Sequence, residues 1–341
     1  MTTTIPSYET IVSDYETLRE DAGAVFGERD VLKISGPDAQ SYLDGQLSQD
    51  IAALELGESA WSFILQPTGK VDVYCRVFRV SGSNSEADSN SESTFFIEVP
   101  VGCGEATLTR LQRFKLRVDC ELELLRWQIC SVRGTKSAEI DMQALASLSD
   151  HTLVAPVEWG DVTGFDLLNP SPLPIRECST AALEVLRIEA GIPQMSKDII
   201  EGAIPAEVGN RILDKAVSFT KGCYVGQELV ARIDSRGGNV PRRLLGVISS
   251  EVSPDAVSSD TASPDTASPD NTAVPNAGEP LFEAAESARQ IGTLTSFVKS
   301  PRLGSIGLAL IHRSVGPSEP SSIICGNLSL QVVDLPFPPS L

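Results

Sequence analysis

The sequence predicts an α+β chain of more than one domain, and three observations carry that prediction. Apolar and β-branched residues alternate in short runs at Trp61 to Leu65, Val71 to Val80 and Thr94 to Val99, and again near the end at Leu244 to Ile248 and Ile291 to Phe297. Between these lie runs with helical spacing: through Tyr42 and Leu43, around Leu108, Leu111 and Phe114, and from Ser179 to Glu189. At 341 residues the chain is long enough for about two or three domains.

Taken in order, Val31 to Ile34 reads as a strand that leads into Gly36, Pro37, Asp38 and Ala39, where Asp38 can cap the first of these helices. Pro67 and Gly69 mark a tight turn between two strands, and Ser81 to Ser93 reads as a loose, polar hairpin tip. After the helix around Leu111, Val118 to Val132 alternates like a strand and Ala138 to Leu148 looks helical. A proline-rich passage at Asn169 to Pro174 precedes the helix from Ser179 to Glu189, which Gly191 and Pro193 end. Residues 250–278 differ in kind. Ser-Pro-Asp occurs there three times among small residues, so this tract reads as a disordered insertion inside a small β domain.

Composition excludes several function classes. Seven cysteines without any Cys-x-x-Cys argue against a zinc knuckle or a redox pair and for a reducing compartment. The first twenty residues are polar and acidic, and no apolar run reaches about 18 residues, so the expectation is a cytoplasmic protein without a membrane partner. Two histidines leave little room for a histidine-rich metal site. The net charge of −19 disfavours direct nucleic-acid binding. Basic residues are nonetheless clustered: Arg211 to Arg243 holds seven against three acidic ones, and Arg110, Arg113, Lys115 and Arg117 form a second group. Brought together, the two clusters would make a cationic pocket for a small anionic ligand.

The most informative stretch is Lys221-Gly-Cys-Tyr-Val-Gly-Gln-Glu228. It sets Cys223 near two glycines, with Lys221 at hand to favour a thiolate, and then opens into a helix whose free amides favour the same charge. Buried packing is the ordinary fate of a free cysteine. Glycine, lysine, glutamine and glutamate are poor core company, however, so Cys223 reads as a site.

Several separated segments, running in one order over most of the chain, resemble the YgfZ branch of the glycine-cleavage T-protein superfamily of folate-binding proteins. They are Gly36-Pro-Asp-Ala39 with Tyr42-Leu-Asp-Gly-Gln-Leu-Ser-Gln-Asp50, Leu65-Gln-Pro-Thr-Gly-Lys-Val71, Arg187-Ile-Glu-Ala-Gly191, Ile204-Pro-Ala-Glu207, the Lys221 to Glu228 signature, and Gly292-Thr-Leu-Thr-Ser296 with Ile306-Gly-Leu-Ala-Leu310. The resemblance implies three domains in a ring around a central folate pocket: a folate-binding region over 20–240, built of two interleaved α+β subdomains with a flexible tip at 81–93, and a β-barrel-like domain over 241–341 carrying the insertion. It implies tetrahydrofolate or a related folate as ligand, with Glu189 pairing with the pterin and Gly222, Tyr224, Gly226, Gln227, Arg232 and Arg113 around it. It further implies an accessory role in iron–sulfur cluster assembly or repair that supports tRNA-modifying radical enzymes, with assembly proteins or client enzymes as partners.

In that reading Cys223, with Lys221, does the chemistry, either ligating iron transiently alongside a partner's cysteines or attacking a sulfur or carbon electrophile near bound folate; no permanent metal is expected, since one thiolate cannot hold a cluster. Two alternatives stay open, a tetrahydrofolate-dependent one-carbon transferase and a non-catalytic folate sensor or scaffold, and with them whether the chain is an enzyme. Asp72 is followed by Val73, where the aminomethyltransferases resemble a glycine-rich turn followed by adjacent aspartates.

Overall fold

The structure, a computed structural model, describes residues 6–81, 93–141, 152–157, 159–249, 275–283, 289–317 and 323–338. The expected hairpin tip at 82–92, the helical reading of 142–148 and residues 250–274 of the insertion lie outside them. The chain divides into two compact units, residues 1–183 with 194–240 and residues 184–193 with 241–341.

In the first unit, α1 (Tyr8–Glu20), β1 (Gly23–Ser35), α2 (Ala39–Gln46), β2 (Ser59–Leu65), β3 (Val71–Ser81), β4 (Ser93–Val99), α3 (Gly104–Phe114), β5 (Glu121–Arg133), β6 (Leu153–Pro156), β7 (Gly164–Leu168) and β8 (Arg176–Glu177) follow one another. Then come α4 (Thr180–Glu189), which runs on into the second unit, α5 (Asn210–Ala216) and α6 (Gln227–Asp234). The strands form one sheet in the order β2-β3-β4-β1-β5-β7-β6, with β8 paired to β1. Strand alternation sorts its two faces. Val73, Cys75 and Val77 of β3 join Phe95, Ile97, Leu32 and Ile34 in a core closed by Tyr42 and Leu43 of α2 and Leu111 of α3.

The opposite face is partly charged, and its charges show the curl of the sheet. Register sets Arg76 beside Trp61 on β2 and Glu98 on β4. Arg76 donates from Nε to Glu98 at 2.8 Å, and its Nη1 reaches Asp166 on β7 at 3.1 Å. Strands β4, β1 and β5 stand between β3 and β7. The sheet therefore bends until this face meets itself, and Phe78 and Phe96 pack there with Leu153, Ala155 and Leu168. Arg133 and Ser131 complete the cluster, each 2.8 Å from Asp166 Oδ1.

One capping expectation fails. Asp38 precedes α2, but at φ −96° and ψ 0° its side chain makes no cap, because an N-cap needs extended backbone to aim back at the first turn. Its carboxylate instead accepts from the Asp119 amide at 2.8 Å.

The second unit is a closed barrel of β9 (Arg242–Ser249), β10 (Pro280–Glu283), β11 (Gln290–Ser300), β12 (Gly304–His312), β13 (Ile323–Cys325) and β14 (Leu328–Val333), in the order β10-β11-β12-β9-β14-β13. β13 pairs back to β10, so no edge strand is left open. Val247, Leu294, Ile311, Ile323 and Leu330 fill it. The C-terminal barrel expected from the sequence is present. Residues 184–193 belong to this unit through Arg187, which bonds Glu184 and Ser296, and through Phe337, whose amide donates to the Glu189 carbonyl at 3.2 Å. Among the described residues no helix is long and apolar enough to cross a membrane.

Burial alone would push the Asp166 carboxyl up, but Arg133 and Arg76 outweigh it and hold the group well below its ordinary range. Asp166→Ala leaves two buried guanidinium groups short of their counter-charge and is expected to cost about 3–5 kcal/mol in urea unfolding. The folded carboxyl titrates below the unfolded one, so its stabilisation is complete above about pH 4 and is lost as pH falls further. Asp166→Asn should flatten that acid limb relative to wild type; an unchanged slope would remove Asp166 from the account.

Candidate functional site: a thiol loop seated on the end of a helix

The loop between α5 and α6 carries the cysteine signature, and Lys221 shows how it is held. Its side chain is 1% exposed. A buried ammonium is tolerated only where oxygens replace its water. Lys221 Nζ finds four: Asp44 O at 2.6 Å, Asp44 Oδ1 at 2.8 Å, Gln49 O at 2.8 Å and Leu47 O at 3.1 Å. They come from the C-terminal end of α2 and the chain just after it, where carbonyls lack helical partners and a cation suits the dipole. The neighbouring Gly45 carbonyl accepts from the Val225 amide at 3.1 Å, and the Ser48 carbonyl from the Ser218 amide at 2.9 Å. Ser48 Oγ donates to Ala216 O at 2.6 Å, and Gln49 Nε2 to Lys215 O at 2.8 Å. Residues 44–49 thus form a seat for the whole loop.

A second contact fixes where the loop becomes a helix. Gly226 stands at the N-cap of α6 with φ +83°, and a Cβ there would lie 2.4 Å from Gln66 O. Gly69, at φ +79°, has equally little room, for its Cβ would meet Leu229 Cβ at 2.4 Å. Only glycine accepts both the left-handed backbone and the contact. The Gly69 turn is closed by the Gln66 amide on Lys70 O at 2.8 Å. Arg110 braces it from behind: Nη2 donates to Leu65 O at 2.8 Å, the group pairs with Asp72 at 3.3 Å, and it stacks on Phe114 at 3.9 Å.

The structure distributes the predicted site residues unevenly. Cys223 and Gly222 are exposed, and no atom stands within 4 Å of a Cβ built on Gly222. Tyr224 is buried, its ring 5.5 Å from the Lys221 ammonium and its hydroxyl pushed up to about 12 by burial. Gln227 turns its Oε1 to the Tyr224 amide at 3.1 Å. Arg232 and Arg113 are both exposed, in the last turns of α6 and α3. Glu189 belongs to the other unit, where it is 2% exposed; its Oε1 accepts from the Ser300 hydroxyl and its Oε2 from Arg302 Nη2 at 3.0 Å.

Lys221 departs from its expected part. Its ammonium is committed to the seat, because four oxygens at the end of α2 satisfy it there, so it fixes the loop's position. Asp44, Ser48 and Gln49 are not among the expected site residues, and Arg110, expected in a cationic pocket, instead braces the Gly69 turn. The signal was present in polar Asp44 and Gln46 between Leu43 and Leu47, where an amphipathic helix alone needs neither.

By exposure Cys223 differs from the other cysteines, of which Cys103 is half-buried and five are buried. Burial pushes the thiols of Cys75, Cys103 and Cys120 up, that of Cys130 to about 12, and those of Cys178 and Cys325 to about 11. Such groups stay protonated and unreactive at neutral pH. Among the described residues no cluster of three or more His, Cys, Asp or Glu could hold a metal ion.

No family model matches the chain. A protein of Haemophilus influenzae named only as uncharacterized is 30% identical over 210 residues, 61% of this chain and 67% of that one. The tRNA-modifying protein YgfZ of Vibrio vulnificus is 27% identical over 272 residues, covering 75% and 78%. A mitochondrial iron-sulfur cluster assembly factor IBA57 homolog of Coccidioides immitis is 25% identical over 300 residues, covering 83% and 69%. Among solved structures, the glycine cleavage system aminomethyltransferase T of Bartonella henselae matches with a TM-score of 0.71 at 17% identity, over 97% of this chain and 90% of that one. The chain is thus similar in sequence to proteins named YgfZ and IBA57, and it shares the fold of the aminomethyltransferase.

Within this chain, three of the motifs that carry the resemblance to YgfZ-type proteins meet physically. The Tyr42 to Asp50 segment seats the cysteine loop, the Leu65 to Val71 turn backs its second glycine, and the signature itself lies between them. The two glycines beside Cys223 therefore differ in kind. Gly226→Ala should destabilise the protein by at least about 1 kcal/mol, through strain at positive φ and the clash with Gln66. Gly222→Ala should stay within about 0.5 kcal/mol of wild type in the same urea titration. Equal effects would mean that the turn does not pack as described.

Proposed function

We propose that this protein is a folate-binding accessory factor in iron–sulfur cluster assembly or repair, working in the cytoplasm and supporting iron–sulfur enzymes such as those that modify tRNA. The observation that carries the reading is the exposed Cys223 thiol on a loop whose backbone is pinned at Ser218, Lys221 and Val225, while Cys75, Cys120, Cys130, Cys178 and Cys325 are buried and Cys103 is half-buried. The names of the relatives, one a tRNA-modifying protein and one a cluster assembly factor, support the same reading.

In this mechanism the seat holds Cys223 outward without induced movement, and the open space around Gly222 lets a partner's surface come close. The exposed thiol would give its proton to water, and its sulfur would take a coordination position that the partner's own ligands leave open on the iron of the cluster it carries. Clusters take about four protein ligands, so this chain supplies one and the partner the others. Glu189 fits the pterin of a folate: a carboxylate offers about four acceptor sites, and Ser300 and Arg302 orient it. Bound folate would supply a one-carbon carrier or a regulatory signal, and Glu189 would bind and orient it. The one-carbon transferase reading draws no support from the first unit, where Asp72 is paired with Arg110 and followed by Val73.

The deciding experiment re-supplies a strain lacking this gene with wild-type or Cys223→Ala protein and measures a tRNA methylthiolating enzyme's activity. Rescue by wild type alone is expected, and equal rescue by both would sink the thiol mechanism. For folate, calorimetry with tetrahydrofolate should show at least about tenfold weaker binding for Glu189→Gln, the effect of losing about 1.4 kcal/mol of a charged hydrogen bond. Unchanged affinity would remove Glu189 from the folate site.

A further inference from the structure

We propose that the oxygens of Asp44, Leu47 and Gln49 form a monovalent-cation site that Lys221 occupies as a tethered ion, which makes Lys221 a positioning residue for the Cys223 thiol. The cage holds three backbone carbonyls and one carboxylate, at 2.6, 2.8, 2.8 and 3.1 Å from Nζ. It carries one formal negative charge, that of Asp44, and so balances one positive charge. The distances separate ion classes. Magnesium takes its oxygens at about 2.0–2.1 Å and calcium at about 2.3–2.6 Å, whereas three of the four cage oxygens stand at 2.8–3.1 Å and only the Asp44 carbonyl, at 2.6 Å, touches the upper end of the calcium range. Carbonyl-lined cages that replace an ion's water are the chemistry of potassium and ammonium.

The ammonium shares three protons among four acceptors, so it holds the cage by charge as much as by directed bonds. Asp44 Oδ1 also accepts from the Ile51 amide at 3.1 Å. Cage and chain turn are therefore one piece, and the oxygens remain in place when the side chain that fills them is shortened. The Lys221 ammonium stands 5.5 Å from the centre of the Tyr224 ring, which adds a cation–π contact to the same ion. An ion in this place ties residue 221 to α2 and, through the flanking bonds of Ser218 and Val225, sets the direction of the loop between them.

The consequence for the thiol rests on the function proposed above, whereas the ion site stands on geometry alone. Its test is chemical rescue in full-length Lys221→Ala. Amide hydrogen exchange over 218–226 should lose about tenfold or more of its protection, the scale of one charged hydrogen bond. Ammonium chloride should restore most of that protection, potassium chloride part of it, and tetramethylammonium chloride at the same ionic strength none. Adding Asp44→Asn to Lys221→Ala should abolish the ammonium response. If Lys221→Ala does not fold unaided, refolding yield in the three salts reads the same preference.

Unchanged protection in Lys221→Ala, or ammonium no better than tetramethylammonium, would overturn the proposal. Neither result depends on whether Cys223 serves iron–sulfur enzymes, which the Cys223→Ala rescue decides separately.

Discussion

A helix that ends leaves carbonyls without partners, and a lysine that leaves water needs oxygens; in the first unit each requirement meets the other. α2 stops at Gln46, and the carbonyls of Asp44 and Gly45 take donors from a loop some 180 residues further on, the Lys221 ammonium and the Val225 amide. The arrangement ties the N-terminal sheet region to the cysteine loop by polar contacts, whose geometry is stricter than that of apolar packing. It also accounts for the polar side chains of Asp44, Ser48 and Gln49 after Leu43, each of which bonds the loop or the chain leading into it.

Around this anchor the unit is stiffened in layers. The Gly69 turn backs Gly226 so closely that neither can carry a side chain, and Arg110 fixes that turn to α3. Behind them the sheet bends until Arg76 and Asp166 meet across three intervening strands. Buried ion pairs of this kind add little net stability against apolar alternatives, but breaking one is costly, so they define which curled arrangement is allowed. The outcome is a loop with little freedom in its backbone and an exposed sulfur upon it. A thiol presented this way loses little conformational entropy when a partner binds.

Much of this was legible in the sequence, and the misses have physical causes. The strands at 61–65, 71–80 and 94–99 announced themselves by alternation, and α4 and α6 by their boundaries and spacing. β6 and β7 escaped because each is short and half of its residues pack into the curled face, which removes the polar half of the pattern. α1 escaped because its acidic, weakly apolar sequence is held by tertiary contacts such as Asp14 with Arg176 and the Ser179 amide. At the site, Cys223 could be picked out from its neighbours alone. The role of Lys221 could not, since sequence proximity to a thiol says nothing about a partner segment 170 positions earlier. Arg113 and Arg110 illustrate the same limit: they share one helix, yet one faces solvent and the other stacks on Phe114 against Asp72.

The central claim is that the fold presents the Cys223 thiol and buries those of Cys75, Cys120, Cys130, Cys178 and Cys325, and native-state alkylation, followed by mass spectrometry with and without low denaturant, tests it most directly. The account predicts that Cys223 is labelled fast, at a rate that low denaturant leaves unchanged, while Cys75, Cys120, Cys130, Cys178 and Cys325 react only as the protein opens. If Cys223 is labelled no faster than those five, or only as denaturant opens the fold, the loop does not present its sulfur and the account fails.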